Sequence, residues 1–278
     1  SSTGTAGVKK PQKNPLARQL GITTSSLSGH IAAKPTKEKV TALEMPKILR
    51  EELGLTVIDL NTSTLASTQP AYLEKLRAAA DKAGCVLTNL KLNQRGLDMA
   101  SPDAATRKKA LDEYKRTIDV AARLGCRWVR PSPTAKKPDL KRLAVAYREL
   151  IDYSAPKGIT LLVENAGWIL NDPDGIPEVI KEVGKGLDAS PDTGNWTDAA
   201  RYEGLQKAFP FAVTCDYKAY MLGPKDEHPR YDLKCCFEIA WKAGFRGPWC
   251  IEHFNDTLPG LLRGFGRVRD MLKRWTVA

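Results

Sequence analysis

The stretch LKRLAVAYRELIDYSAPKGITLLVE, residues 140–164, holds one full repeat of the pattern that decides the fold. Leu140, Leu143, Ala144, Tyr147, Leu150 and Ile151 fall on one face of a helix. The short apolar run Ile159–Glu164 then reads as a buried strand. The same alternation extends in both directions. Upstream lie the strand candidates Leu20–Ser26, Leu55–Asn61, Cys85–Leu92 and Cys126–Arg130. Downstream lie the less apolar Gly186–Asp192, then Phe211–Tyr217 and Pro248–Glu252. Helical runs fill the gaps. Leu73, Leu76 and Ala80 follow Pro70 and precede Gly84. Leu111, Tyr114, Ile118 and Ala121 follow Ser101-Pro102, read as N-cap and first helical residue, and stop at Gly125. Leu261, Phe265, Val268 and Leu272 mark a last helix.

Strands alternating with helices imply a parallel sheet. Eight such pairs in a chain of 278 residues match an α/β single-domain (β/α)8 TIM barrel in count and size. A doubly wound open sheet would carry a glycine-rich phosphate turn after the first strand, and LGITTSSLSGH does not have that spacing. A helical solenoid would not have strands this frequent. Residues 1–15, SSTGTAGVKKPQKNP, are small, polar and basic, and read as a flexible tail ahead of a barrel over 16–278.

Composition limits the function classes. Hydrophobic residues make up 42% and charged residues 27%, as in ordinary globular chains, and no apolar run is long enough for a membrane span. The net charge of +11 invites a nucleic-acid reading, but outside Lys9, Lys10, Lys13 and Arg18 the basic residues alternate with acids. A solvated basic surface accounts for that pattern. Cys85, Cys126, Cys215 and Cys250 sit in or beside apolar runs, Cys235 and Cys236 are adjacent, and no CxxC occurs. Buried free thiols are expected, which favours a reducing, cytoplasmic setting. A first residue of Ser in place of Met is also what removal of an export signal would leave.

The chemistry is expected where the strands end, because a parallel barrel places its active site at their C-terminal ends. ITLLV ends in Glu164, GLDASP in Asp192, FAVTC in Asp216 and PWCI in Glu252. Successive acids are 28, 24 and 36 residues apart, each about one βα unit. Four carboxylates converging on one point repel one another, and a divalent cation removes that cost. An oxygen-rich donor set suits Mg, Mn or Ca.

VENAGW at 163–168, PDTGNW at 191–196, DYKAY at 216–220 and GPWCIEHF at 247–254 resemble the xylose isomerase-like barrels of the sugar (phosphate) isomerase/epimerase superfamily. The resemblance implies a metal site of Glu164, Asp192, Asp216 and Glu252. It also implies that Glu164 and Glu252 are the catalytic acid/base pair. The family's third ligand is usually the histidine of an H-x-K pattern, and here Asp216-Tyr217-Lys218 takes that place. The implied reaction is proton transfer beside a carbonyl through a metal-stabilised enediolate, in a sugar or sugar phosphate isomerase or epimerase. A lyase or dehydratase on a keto-sugar would start from the same carbanion. The change at 216 also fits a diverged, non-catalytic sugar-binding barrel.

His30, Arg130, Lys218, Trp168 and Asn195 are the candidates for contacts to a small carbohydrate substrate. Asn61, Lys91 and Arg95 also lie near strand ends. His253 should point away from the site, since it follows Glu252 on a strand. Apurinic endonucleases share this barrel but hold metal with several histidines, and the chain has three. No nucleic-acid or membrane partner is therefore expected, and the resemblance is compatible with a homo-oligomer.

Overall fold

A computed structural model describes residues 14–277 of the chain. Most of the basic tail read from the sequence thus lies outside the described residues. Asn14 already belongs to the fold, since its side-chain amide donates to the Gly247 carbonyl at 2.8 Å.

Eight strands form the inner wall: β1 Leu20–Thr23, β2 Val57–Asn61, β3 Val86–Lys91, β4 Trp128–Arg130, β5 Thr160–Val163, β6 Leu187–Ala189, β7 Cys215–Lys218 and β8 Trp249–Glu252. Eight α-helices follow them: α1 Met45–Leu53, α2 Pro70–Ala83, α3 Ala104–Leu124, α4 Leu140–Ser154, α5 Gly175–Val183, α6 Arg201–Ala208, α7 Leu233–Lys242 and α8 Leu258–Val277. The strands are parallel and run β6-β5-β4-β3-β2-β1-β8-β7 around the sheet. Single bridges from Ala189 to Ala212 and from Asp192 to Asp216 join the two ends and close the barrel. The chain is a (β/α)8 TIM barrel.

Several boundaries differ from the sequence reading, for local reasons. β1 stops at Thr23 because Thr24–Leu27 turns into a 3-10 segment. There the Thr24 hydroxyl accepts from the Asn61 amide at 2.8 Å. β7 starts at Cys215, because Pro210 opens a 3-10 turn over Phe209–Phe211. Asp103, not Ser101, caps α3 by accepting from the Thr106 amide at 2.8 Å, as a carboxylate does well at a helix N-terminus. Gly125 ends α3 at φ 76°, a left-handed conformation that glycine adopts without a Cβ penalty.

Side chains alternate along each strand, and this alternation builds the interior in layers. Val57, Trp128, Leu162 and Cys250 form an apolar floor, on which Leu16 is seated. Two residues further along the same strands stand Asp59, Arg130, Glu164 and Glu252. The interior therefore changes from apolar to charged over one strand repeat, roughly 6–7 Å. All six cysteines are free thiols, five of them buried. Among the described residues no helix is long and apolar enough to cross a membrane.

Candidate active site at the barrel mouth

Glu164, Asp192, Asp216 and Glu252 all line one cavity of about 200 Å³ at the C-terminal ends of the strands. Ala166 is the only apolar residue in its lining, which otherwise includes Ser25, Asn61, Lys91, Asn93, Arg130, Asn195 and Lys218. One carboxylate oxygen each from Glu164, Asp192 and Asp216 lies within 4.8 Å of the others. Glu252 shares the cavity but stands outside that set of three.

Each acid is held by its own partners. Glu164 meets Arg130 Nε at 2.7 Å and accepts from the Asn195 amide at 3.3 Å. The Arg130 contact, to Glu164 Oε2, is an ion pair without an aligned hydrogen bond. Asp192 Oδ1 accepts from the backbone of Gly194 at 2.8 Å and of Asn195 at 3.1 Å. Its other oxygen faces Lys218 Nζ at 3.1 Å. The buried side chain of Asn165 brackets the Asp192 backbone, accepting from its N–H at 2.7 Å and donating to its carbonyl at 2.8 Å. Asp216 Oδ2 accepts from Lys91 Nζ at 2.6 Å. Glu252 accepts from the Ser25 hydroxyl at 3.2 Å and faces Lys218 Nζ at 3.3 Å.

Burial is the main force on these groups. Loss of solvent pushes the carboxyls of Asp59 and Asp192 up to about 7, against the pull of Lys91 and Lys218 respectively. Burial also raises Glu164 and Glu252, opposed mainly by Arg130 and Lys218 respectively. The five acids Asp59, Glu164, Asp192, Asp216 and Glu252 face the three bases Lys91, Arg130 and Lys218. With every carboxyl ionised, two negative charges would be left over, which is the charge a divalent cation neutralises and which burial alone disfavours. The all-oxygen triad and this imbalance fit a hard divalent ion.

The remaining sequence candidates divide. Lys218 and Asn195 line the cavity, joined by a 2.6 Å hydrogen bond. Arg130 also lines it, but its guanidinium is used internally: it donates to the carbonyls of Leu92 and Pro131 and to the Asn93 side chain. These contacts fix the guanidinium beside Glu164 at the cavity wall. His30 does not reach the cavity. Its Nε2 lies 2.8 Å from the Asn255 carbonyl, tying the loop after β1 to the loop after β8. Trp168 is turned away too, because the chain enters a 3-10 segment at Gly167. Its ring lies under Lys137 Nζ at 4.9 Å and lines a neighbouring pocket of about 50 Å³ that shares Arg130, Glu164 and Ala166 with the site cavity. His253 points outward as expected, with Nδ1 2.7 Å from the Ala219 carbonyl.

Asp59 and Ser25 were not anticipated as part of the site. An aspartate in the middle of the apolar run Val57–Asn61 was the available signal, since alternation aims it at the barrel axis.

A family model described as xylose isomerase-like TIM barrel matches residues 49–275. D-psicose 3-epimerase from Clostridium cellulolyticum H10, solved with D-tagatose, superposes with a TM-score of 0.71 at 16% identity, over 92% of this chain and 98% of that one. D-allulose 3-epimerase from Methylomonas sp. gives 0.71 at 17% identity, over 93% and 98%. A xylose isomerase-like TIM barrel protein from Mycobacterium smegmatis, in complex with magnesium, gives 0.65 at 17% identity, over 92% and 97%. At these identities the likeness is one of fold. No match is found among curated protein sequences.

Proposed function

Because the chain belongs to the xylose isomerase-like TIM barrel family, we propose that it is a metal-dependent sugar isomerase or epimerase working by proton transfer beside a carbonyl. One observation carries this reading: acids from four consecutive strand ends surround a single, almost wholly polar cavity. Such a lining suits a polyol, whose hydroxyls need both donors and acceptors. Glu164, Asp192 and Asp216 would hold the ion. When bound, a divalent ion polarises a sugar carbonyl oxygen as a Lewis acid.

The proton chemistry falls to Glu164 and Glu252. Burial raises both carboxyls, which makes each a better base near neutral pH. Arg130 and Asn195 orient Glu164, and Ser25 and Lys218 orient Glu252. Asn61, Asn93 and Asn195 offer amide groups to substrate hydroxyls.

The test is deuterium incorporation, followed by proton NMR, into a panel of aldoses, ketoses and their phosphates in D2O with MnCl2 or MgCl2. Exchange at the carbon beside the carbonyl, lost in Glu252→Gln, supports the proposal. The short Lys91–Asp216 contact favours a second reading, a barrel that binds sugar without turnover. Sugar binding with no exchange for any substrate would establish that reading instead.

A further inference from the structure

Lys91 has no counterpart in the chemistry assigned above. It comes from the end of β3, and its side chain is 3% exposed. Its ammonium has three oxygen neighbours from three other strands: Asp216 Oδ2 at 2.6 Å, Thr23 Oγ1 at 2.9 Å and Asp59 Oδ1 at 3.3 Å. Of the three ammonium protons, two are bonded to Asp216 and Thr23, and Asp59 stands beside the third as an ion-pair partner without an aligned bond.

The other two cations meet their carboxylates by longer or unaligned contacts. Lys218 stands 3.1 and 3.3 Å from Asp192 and Glu252, and is 18% exposed. Arg130 leaves Glu164 Oε2 without an aligned hydrogen bond. Among the three acids of the triad, Asp216 alone is gripped by a short, charge-assisted bond to a fully buried cation. A second acceptor is ready beside it. Asp59 Oδ1 is buried and has no aligned hydrogen bond, although Lys91 Nζ is only 3.3 Å away. Asn89 steadies the opposite oxygen of Asp59 at 3.3 Å.

Resting on the proposed metal site, we infer that Lys91 is an internal competitor for the ion, with two alternative partners. Without the ion the ammonium holds Asp216. When an ion engages Asp216, Lys91 shifts its bond to Asp59. Lys91 and Asp59 therefore set the site's affinity for a divalent cation from opposite sides.

The experiment is isothermal titration of Mn2+ into full-length protein stripped with EDTA, with circular dichroism to verify the fold. Lys91→Met should tighten Mn2+ binding by roughly tenfold, because one positive charge leaves the ring. Asp59→Asn should weaken it, because Lys91 loses its alternative partner. Both signs would also follow from charge alone. The double variant Asp59→Asn/Lys91→Met decides, since it keeps the net charge and also guards against misfolding of Lys91→Met. Tighter binding than wild type in the double variant supports the inference. Binding equal to or weaker than wild type overturns it and leaves the proposed function standing. No Mn2+ binding by wild type or any variant overturns both.

Discussion

Asp192 and Asp216 are direct Cα partners in the bridge that closes the barrel. The Asp216 N–H donates to the Pro191 carbonyl at 3.0 Å, and the Thr193 N–H donates to the Asp216 carbonyl at 3.0 Å. Two acids of the site are therefore also the seam of the fold. Charge placed on them bears directly on strand pairing, so ion binding and barrel closure are linked.

That link has a pH signature. Asp59 and Asp192 are pushed up to about 7, and Glu164 and Glu252 are raised, all by burial. In the unfolded chain these groups titrate near 4. Between about 4 and 7 the folded protein holds protons that the unfolded chain has released, so stability falls as pH rises through that window. The metal-free protein should melt at least about 5 °C lower at pH 8 than at pH 5. Saturating Mg2+ should recover more of this at pH 8 than at pH 5. A calorimetric profile that is flat, or that rises with pH, would contradict the assignment.

Ion binding and proton transfer should separate by mutation. Asp192→Asn removes a triad ligand, and Mn2+ affinity should drop by about tenfold or more. Glu252 lies outside the triad, so Glu252→Gln, which removes one charge from the cavity but no triad oxygen, should weaken Mn2+ binding less than Asp192→Asn does. Its turnover should fall by about 10²- to 10⁴-fold, the usual worth of a general base. Titration calorimetry and the NMR exchange rate on the same preparations check both halves. Loss of metal in Glu252→Gln would place that residue among the ligands.

Gly194 protects the position of Lys218. A Cβ there would lie 2.4 Å from the Tyr231 hydroxyl and 2.7 Å from Lys218 Cδ. Tyr231 in turn donates to the Lys218 carbonyl at 2.5 Å. Gly194→Ala should cost about 1–3 kcal/mol, as overpacking does, and displace Lys218 from Asp192 and Glu252. Urea unfolding measures the first effect. An unchanged exchange rate would show that the Lys218 position is not needed.

Much of the architecture was legible because it depends on local pattern. Apolar runs ending in Glu164, Asp192, Asp216 and Glu252 mark strand ends, and a parallel barrel brings strand ends together. Side-chain direction after a strand end was not legible. His30 and Trp168 sit at plausible positions, yet a 3-10 turn after each strand aims their rings at a carbonyl and at a lysine. The Lys91–Asp216 pair was hidden for another reason. Its members are 125 residues apart, and only the register of the closed barrel brings them together.

The N-terminal segment supports the floor. Leu16 is 3% exposed against Val57, Trp128, Leu162 and Cys250. Leu16→Ala should cost about 2–5 kcal/mol, the usual loss for a buried leucine, read from chemical denaturation. A cost under about 0.5 kcal/mol, typical of a surface site, would mean that the segment is not a structural part of the barrel.

Leu16 and Trp128 seat the apolar floor, and the polar cavity stands above it at the C-terminal ends of the strands. On the proposed reading, ion and sugar would share this cavity. An ion that arrived first would be corked by the sugar seated after it. Chelators should strip the ion from the empty chamber quickly and from the filled one slowly, with the sugar's own departure setting the pace.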